Sequence, residues 1–350
     1  MAESSVQSAD DPEWATVHVG IVVIGRNEGE RLARCFDSLK SQVGNSTRSG
    51  KRVRAISVYI DSGSSDNSVT IAQQHDIPVV HLSSVGGFTA AKARMAGVEW
   101  LRESGVDLRY VQFLDGDCSL DPDWIIAAIN HLECAMQTGV VCGRLKELRP
   151  EHSVFNRLCD LEWDGPTGTV KACGGIAMMR WSVLEQTGGF RQDLIAGEEP
   201  ELCVRIRTLG WRVERLPRLM GFHDANMTRP SQWWRRSMRG GFAAAQGMWL
   251  HGTAPERLGV DQTQSALLWG LLIPLAIALC VILWGGWGSL LLSVYPLQFA
   301  RMVHRDRHGL SDSLVKSLFL MLGKFPAMMG AGKFWWSRLN GKAVALIEHK

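Results

Sequence analysis

Between Gln262 and Ala300 the chain carries no charged side chain. Only helices and closed barrels can hide their backbone polar groups in lipid, so a long apolar run has few folds open to it. As one helix rising ~1.5 Å per residue, this stretch would exceed ~50 Å, against a hydrocarbon core of ~30 Å. A break is required. Gly285-Gly286, flanked by Trp284 and Trp287, supplies it, because indoles favour the membrane interface. The sequence therefore predicts a transmembrane hairpin within 262–300, its two passes at roughly 266–284 and 287–300. A helical hairpin buried in a soluble protein is the alternative.

Charge supports the membrane reading. The whole chain has 38 Lys and Arg against 35 Asp and Glu, but nine basic and only three acidic side chains follow Ala300. The 301–350 tail is thus net +6 and the first 300 residues net −3. Such a tail suits an anionic membrane surface. A nucleic-acid binder would instead carry its basic stripe over the folded domain, so no nucleic-acid partner is expected. Arg301, Arg305 and Arg307 follow the hairpin and place that end in the cytoplasm by the positive-inside tendency. Leu314–Trp336 is apolar but carries Lys316, Lys324 and Lys333. It reads as an interfacial helix with snorkelling lysines, or as a third span.

Residues 1–15 read as a polar, disordered leader without the apolar core of a signal peptide. The eight cysteines show no C-x-x-C pair and suit buried thiols in a reducing compartment. A catalytic body on the cytoplasmic face of an inner membrane follows from these features. Hydrophobic content of 46% and mean hydropathy of −0.02 exclude both a disordered chain and one made mostly of spans.

From 16 to 260 apolar strands alternate with amphipathic stretches. Val17–Ile24, Ala55–Ile60, Ile77–Leu82 and Tyr110–Leu114 are the strands, and Glu28–Gln42, Asn67–His75, Thr89–Ser104 and Asp123–Thr138 the helices between them. This pattern predicts an α/β domain with a mixed, mostly parallel sheet covered on both faces. Polar residues gather just after the strands, where such sheets bind ligands. Asp115-Gly116-Asp117 ends one strand and offers hard oxygen ligands to Mg²⁺ or Mn²⁺. Asp61-Ser62-Gly63-Ser64-Ser65-Asp66 ends another, with Gly63 free to turn tightly and small hydroxyls that let a nucleoside approach the backbone. Capping of the next helix by Asp66 is compatible with that role.

Together these residues resemble the inverting glycosyltransferases of family 2, which have the GT-A (nucleotide-diphospho-sugar transferase) fold. Gly25-Arg26-Asn27-Glu28 is similar to that family's strand-end Asn-Glu, and DSGSSD to its nucleoside loop. Ala91-Lys92-Ala93-Arg94-Met95-Ala96-Gly97 resembles its A-x-A-R-N-x-G helix, with Met95 where Asn is usual. Lys171-Ala172-Cys173-Gly174-Gly175 is similar to the stretch lining the sugar site, and Gly197-Glu198-Glu199-Pro200-Glu201-Leu202 with Arg205 to the segment carrying the general base. His223 stands where a later histidine completes the metal shell. The resemblance covers about 17–250.

What it implies is a metal-dependent hexosyltransferase using a nucleotide-diphosphate sugar, UDP favoured. Asn27, Glu28, Asp61, Ser62, Gly63, Arg94, Asp115, Gly174 and Gly175 would hold the donor, and Asp117, Asp115 and His223 the divalent cation. Glu199 would be the base, at the position usually held by Asp, with Glu198 as its rival. Inverting transfer needs both a base for the acceptor hydroxyl and a Lewis acid at the leaving diphosphate. Ser231-Gln232-Trp233-Trp234-Arg235-Arg236 resembles the Q-x-x-R-W motif of processive members, but Arg236 replaces the Trp, which argues against polymer synthesis. Gln232, Trp233, Trp234, Arg235 and Arg236 are then expected to meet the acceptor or the membrane interface, unless the two Trp simply pack on the core. The expected acceptor is lipid-linked or a membrane-proximal saccharide, as in cell-surface or exopolysaccharide assembly. A non-catalytic scaffold or nucleotide-sugar binder of the same fold is the rival, and it would be expected to lack one of these carboxylates.

Overall fold

The computed structural model describes residues 16–42, 44, 46–83 and 87–341. The leader at 1–15 and the end of the basic tail lie outside them. Nine strands form one sheet in the order β3-β2-β1-β4-β8-β6-β9-β5, with β7 on β9. The first four are β1 (Thr16–Gly25), β2 (Arg52–Asp61), β3 (Val79–His81) and β4 (Tyr110–Asp115). They are parallel to one another. β1 lies between β2 and β4, and burial on both faces explains its β-branched run Ile21-Val22-Val23-Ile24. Helices α1 (Glu30–Lys40), α2 (Ser68–Gln74), α3 (Ala90–Glu103) and α4 (Trp124–Cys134) fall where the amphipathic stretches predict them. α4 stops short of the expected Thr138, which instead opens a buried strand.

The second half of the sheet is mixed. β5 (Cys118–Leu120), β6 (Thr138–Glu147), β7 (Gly168–Thr169), β8 (Ala177–Arg180) and β9 (Arg212–His223) include antiparallel pairs β4·β8, β6·β8, β5·β9 and β7·β9, and one parallel pair, β6·β9. α5 (Val154–Trp163), α6 (Trp181–Thr187) and α7 (Glu198–Thr208) complete the domain. Gly97 on α3 shows why glycine is needed there. A Cβ would run into Val22 of β1, so the helix lies directly on the sheet and carries Arg94, one turn earlier, to the strand ends.

α8 (Pro230–His251) leads out of this domain, followed by α9 (Val260–Leu267), α10 (Ile273–Trp284), α11 (Val294–Arg305), α12 (Leu310–Leu322) and α13 (Lys324–Asn340). α8 and α13 cross closely. Cβ atoms at Gly241 or Gly330 would meet the backbone of Ala327 or Met238. Two helical runs, 260–305 and 310–340, are long and apolar enough to cross a membrane, with 18-residue stretches of mean hydropathy 2.7 and 1.3. The first doubles back at Gly285 (φ +59°). Gly288 returns against the backbone of Cys280, and the Tyr295 hydroxyl donates to Trp269 O at 2.9 Å. Leu275, Leu279, Ile282, Leu283, Leu290 and Leu292 point outward. Leu314–Trp336 is divided between α12 and α13 around Gly323. α12 rests on the α/β domain, with Phe319 beside Phe155 and Trp233.

Candidate active site

The carboxyl ends of β2, β1 and β4 lie side by side, since Gly25 pairs with Asp61 and Ile24 with Asp115. Parallel register alone thus brings two of the three expected aspartates together. Asp61 folds its carboxylate over the next turn and accepts from Gly63 N and Ser64 N at 3.2 Å. Asn27, in a left-handed conformation (φ 56°), locks the end of β1 onto that turn. Its N–H donates to Ser64 Oγ at 2.9 Å, and its Oδ1 accepts from Ser65 N at 2.7 Å. Glu28 lies beneath, buried, its N–H donating to Ser68 Oγ and its carboxylate 2.9 Å from Arg31. Ser62 N donates to Gly25 O.

Arg94 is the hub of a buried charge cluster. Only 3% exposed, it donates to Asp115 Oδ1 at 2.9 Å and Glu198 Oε1 at 2.6 Å. Its guanidinium lies 5.5 Å from the centre of the Phe190 ring. Burial works against its charge, but Asp115 and Glu198 outweigh that and raise its pKa. Gly175 sits against this pair, where a Cβ would fall 2.8 Å from Arg94 Nη2. Gly174 turns with φ +83° and faces open space. Met95, the departure from the family pattern, accepts from Phe190 N through Sδ at 3.2 Å and so supports the ring under Arg94.

The metal-type donors come from the far half of the sheet. β5 pairs with β9 so that Cys118 lies opposite His223. This brings His223 Nε2 to 3.7 Å from Asp117 Oδ1, beyond hydrogen-bond length and within the span of two ligands of one cation. His223 Nδ1 lies 3.2 Å from Glu147 Oε2, the outer-shell carboxylate that metal-binding histidines commonly have. Burial disfavours the imidazolium, yet Asp117 and Glu147 outweigh it and raise the pKa of His223. One carboxylate oxygen, one imidazole nitrogen and a nearby Asp115 make a donor set that fits Mg²⁺ or Mn²⁺.

The neighbouring glutamates differ. Glu198 meets Arg94. Glu199 turns under the Gly-rich segment, where its Oε1 accepts from Cys173 N at 2.5 Å and lies 3.3 Å from Cys203 Sγ. The α8 residues are divided too. Gln232 Oε1 accepts from Thr228 N and Arg229 N and caps the helix, while Trp233 packs on Phe155 and Phe319. Arg236 pairs with Glu162 at 2.7 Å, and Trp234 and Arg235 are exposed. Residues 232, 233 and 236 therefore have structural partners of their own.

Sequence reasoning missed three contributors. Glu147, buried, ends β6 as Asp61 and Asp115 end theirs, so an acid closing an apolar strand was the available signal. Phe88 fills the space left by Gly63, whose Cβ would lie 2.8 Å from the ring, and Arg26 covers that ring at 5.3 Å. No local pattern marks either of these as site residues.

The pattern that defines glycosyl transferase family 2 matches residues 20–186. That segment is a glycosyl transferase family 2 domain. Among relatives, the chain is 26% identical over 241 residues to a pre-mycofactocin glycosyltransferase of Mycobacterium tuberculosis, across 65% of this chain and 47% of that protein. It is 24% identical over 222 residues to glycosyltransferase AglE of Haloferax volcanii, across 59% of this chain and 67% of the other. The chain spans about half the length of the mycobacterial relative. Among solved structures, the mannosyltransferase PcManGT of Pyrobaculum calidifontis, in complex with GDP-Man and Mn²⁺, superposes with a TM-score of 0.62 at 18% identity, covering 91% of this chain and 87% of that one. That likeness shows the GT-A fold.

Proposed function

We propose that this chain is an inverting, cation-dependent hexosyltransferase of glycosyltransferase family 2. It moves a sugar from a nucleoside-diphosphate donor to a lipid-linked or membrane-proximal saccharide acceptor, in cell-surface or exopolysaccharide assembly. The observation that carries the reading is the meeting of Asp61, the Arg94–Asp115–Glu198 cluster and the Asp117–His223 pair at the carboxyl ends of β2, β1 and β4.

In this reading the Asp61–Ser64 turn takes the nucleoside, with Asn27 holding the turn in place. Arg94 fixes Asp115 against the donor, and Gly174-Gly175 leaves room for the sugar. Asp117 and His223 would hold Mg²⁺ or Mn²⁺, which supplies charge neutralisation at the leaving diphosphate. Glu198 has its Oε1 committed to Arg94 and serves as a positioning residue; Glu199 accepts the acceptor's proton. UDP is the favoured nucleotide, and GDP is the alternative that the donor of PcManGT supports.

The hairpin at 262–300 and the 301–350 tail would hold the catalytic domain, 16–260, at the cytoplasmic face of an inner membrane. Both ends of the doubled-back segment lie at one end of the hairpin, and Arg301 and Arg305 are there. Calorimetric titration of the detergent-solubilised protein with nucleoside diphosphates tests the donor reading. One nucleotide should bind with Mn²⁺ and lose that dependence in Asp117→Ala. Folded protein that binds none of them would sink the proposal in favour of a scaffold.

A further inference from the structure

We propose that Cys173, Glu199 and Cys203 form a second cation site, separate from Asp117–His223 and suited to a thiophilic divalent ion of the zinc class. Glu199 and Cys203 are four residues apart on α7 and so share one helix face. Cys173 comes from the segment between β7 and β8 and closes over that face. The three donor atoms lie within 4.8 Å of one another, and all three residues are buried.

The spacing fits such an ion. With Zn–S near 2.3 Å and Zn–O near 2.0 Å, a tetrahedral centre holds two sulfurs about 3.8 Å apart and a sulfur and an oxygen about 3.5 Å apart. Here the two Sγ atoms are 3.6 Å apart, and Cys203 Sγ is 3.3 Å from Glu199 Oε1. Both pairs are within a few tenths of an ångström of ligand spacing, and the third pair lies within 4.8 Å. Two soft thiols and one carboxylate select zinc-class ions over Mg²⁺ or Mn²⁺, which prefer all-oxygen shells.

The bond to Cys203 and burial push the pKa of the Cys173 thiol proton well above its ordinary value; the bond to Cys173 lowers that of Cys203, but burial and Glu199 outweigh it and raise it. A bound cation would release these protons as the ligands ionise. It would also draw Glu199 into its shell. Loss of transfer on zinc binding is then expected, a consequence that rests on Glu199 being the base; the site itself does not.

Cobalt(II) titration of the reduced full-length protein, with Mg²⁺ in excess to fill the Asp117 site, reads the thiolates directly. About one equivalent should develop a sulfur-to-cobalt charge-transfer band. Cys203→Ser should remove it and weaken zinc binding by at least ~100-fold, since even an outer-shell partner is worth 10–100-fold. Cys173→Ser should do the same if Cys203→Ser fails to fold. Cys118→Ser, beside the Asp117 site, and Cys134→Ser, at an exposed position, should keep the band. No thiolate band, or a band lost in Cys118→Ser and kept in Cys203→Ser, overturns the proposal. A band that depends on Cys203, with transfer unaffected by zinc, upholds the site and overturns Glu199 as the base.

Discussion

His223 Nε2 stands 3.7 Å from Asp117 Oδ1, although the two residues lie far apart in the sequence. β5 and β9 bring them together, and Glu147 sets the ring from its far side. Glu147 also accepts from Asn156 Nδ2 and Ala225 N, so the histidine is oriented by a network anchored in three elements. Several consequences of this arrangement can be measured.

Glu147→Gln should keep the fold, because the amide oxygen still accepts from Asn156. Its effect should fall on the histidine. Mn²⁺ affinity should drop by about 10–100-fold, the usual cost of losing an outer-shell carboxylate. Manganese titration followed by electron paramagnetic resonance reads this, and an unchanged affinity would remove His223 from the metal shell.

Asp117→Asn removes an anionic ligand at little cost in volume. Cation stabilisation of a leaving group is worth several kcal/mol, so kcat should fall by about 10³-fold at saturating donor. Steady-state rates with and without added Mn²⁺ give the answer. A variant that retains full, metal-dependent transfer would place the cation elsewhere.

The two glutamates of α7 separate by kinetics. Glu199→Gln should lower kcat by about 10²–10⁴-fold with donor KM little changed, as loss of a general base does. Glu198→Gln should instead raise donor KM, because it frees the guanidinium of Arg94. The opposite pattern would exchange their roles.

Arg94→Ala strands Asp115 and the buried Glu198 without their cation. Breaking a buried pair from one side costs about 3–5 kcal/mol, so a large fall in thermal midpoint should accompany loss of transfer. Gly175→Ala attacks the same pair more gently, through a Cβ placed 2.8 Å from Arg94 Nη2. It should impair transfer with a smaller loss of stability, and calorimetry alongside the rate assay separates the two.

At the crossing of α8 and α13, Gly330→Leu has no room, since its Cβ would meet the Met238 carbonyl. Overpacking of this kind costs about 1–3 kcal/mol. Thermal unfolding in detergent should show the loss, while nucleotide binding by the α/β domain persists. Unaltered stability would mean that the two helices separate easily.

Much of the strand-end cluster could be read from local pattern. An apolar run closed by an acid marks the ends of β2 and β4, and neighbouring parallel strands in register necessarily bring such ends together. The reversal at Gly285 was equally visible, because an uncharged run too long for one span must break, and glycine accepts the positive φ found there. The roles assigned to Gln232 and Trp233 were less accessible. A glutamine near a helix start serves as a cap or as a contact depending on which N–H groups lie beside it, and here they are those of Thr228 and Arg229.

Local chemistry and periodicity thus determined the strands, the turns after them, the motif residues and the apolar hairpin, because each depends on neighbours close in sequence. Tertiary packing decided the partners. Glu198 and Glu199 are adjacent on one helix, yet one meets Arg94 and the other Cys173. Neighbouring side chains on a helix diverge by about 100° (3.6 residues per turn), so which of them faces the donor depends on how α7 is rotated against the sheet. That rotation is set by contacts between residues far apart in the chain, and no local pattern records it.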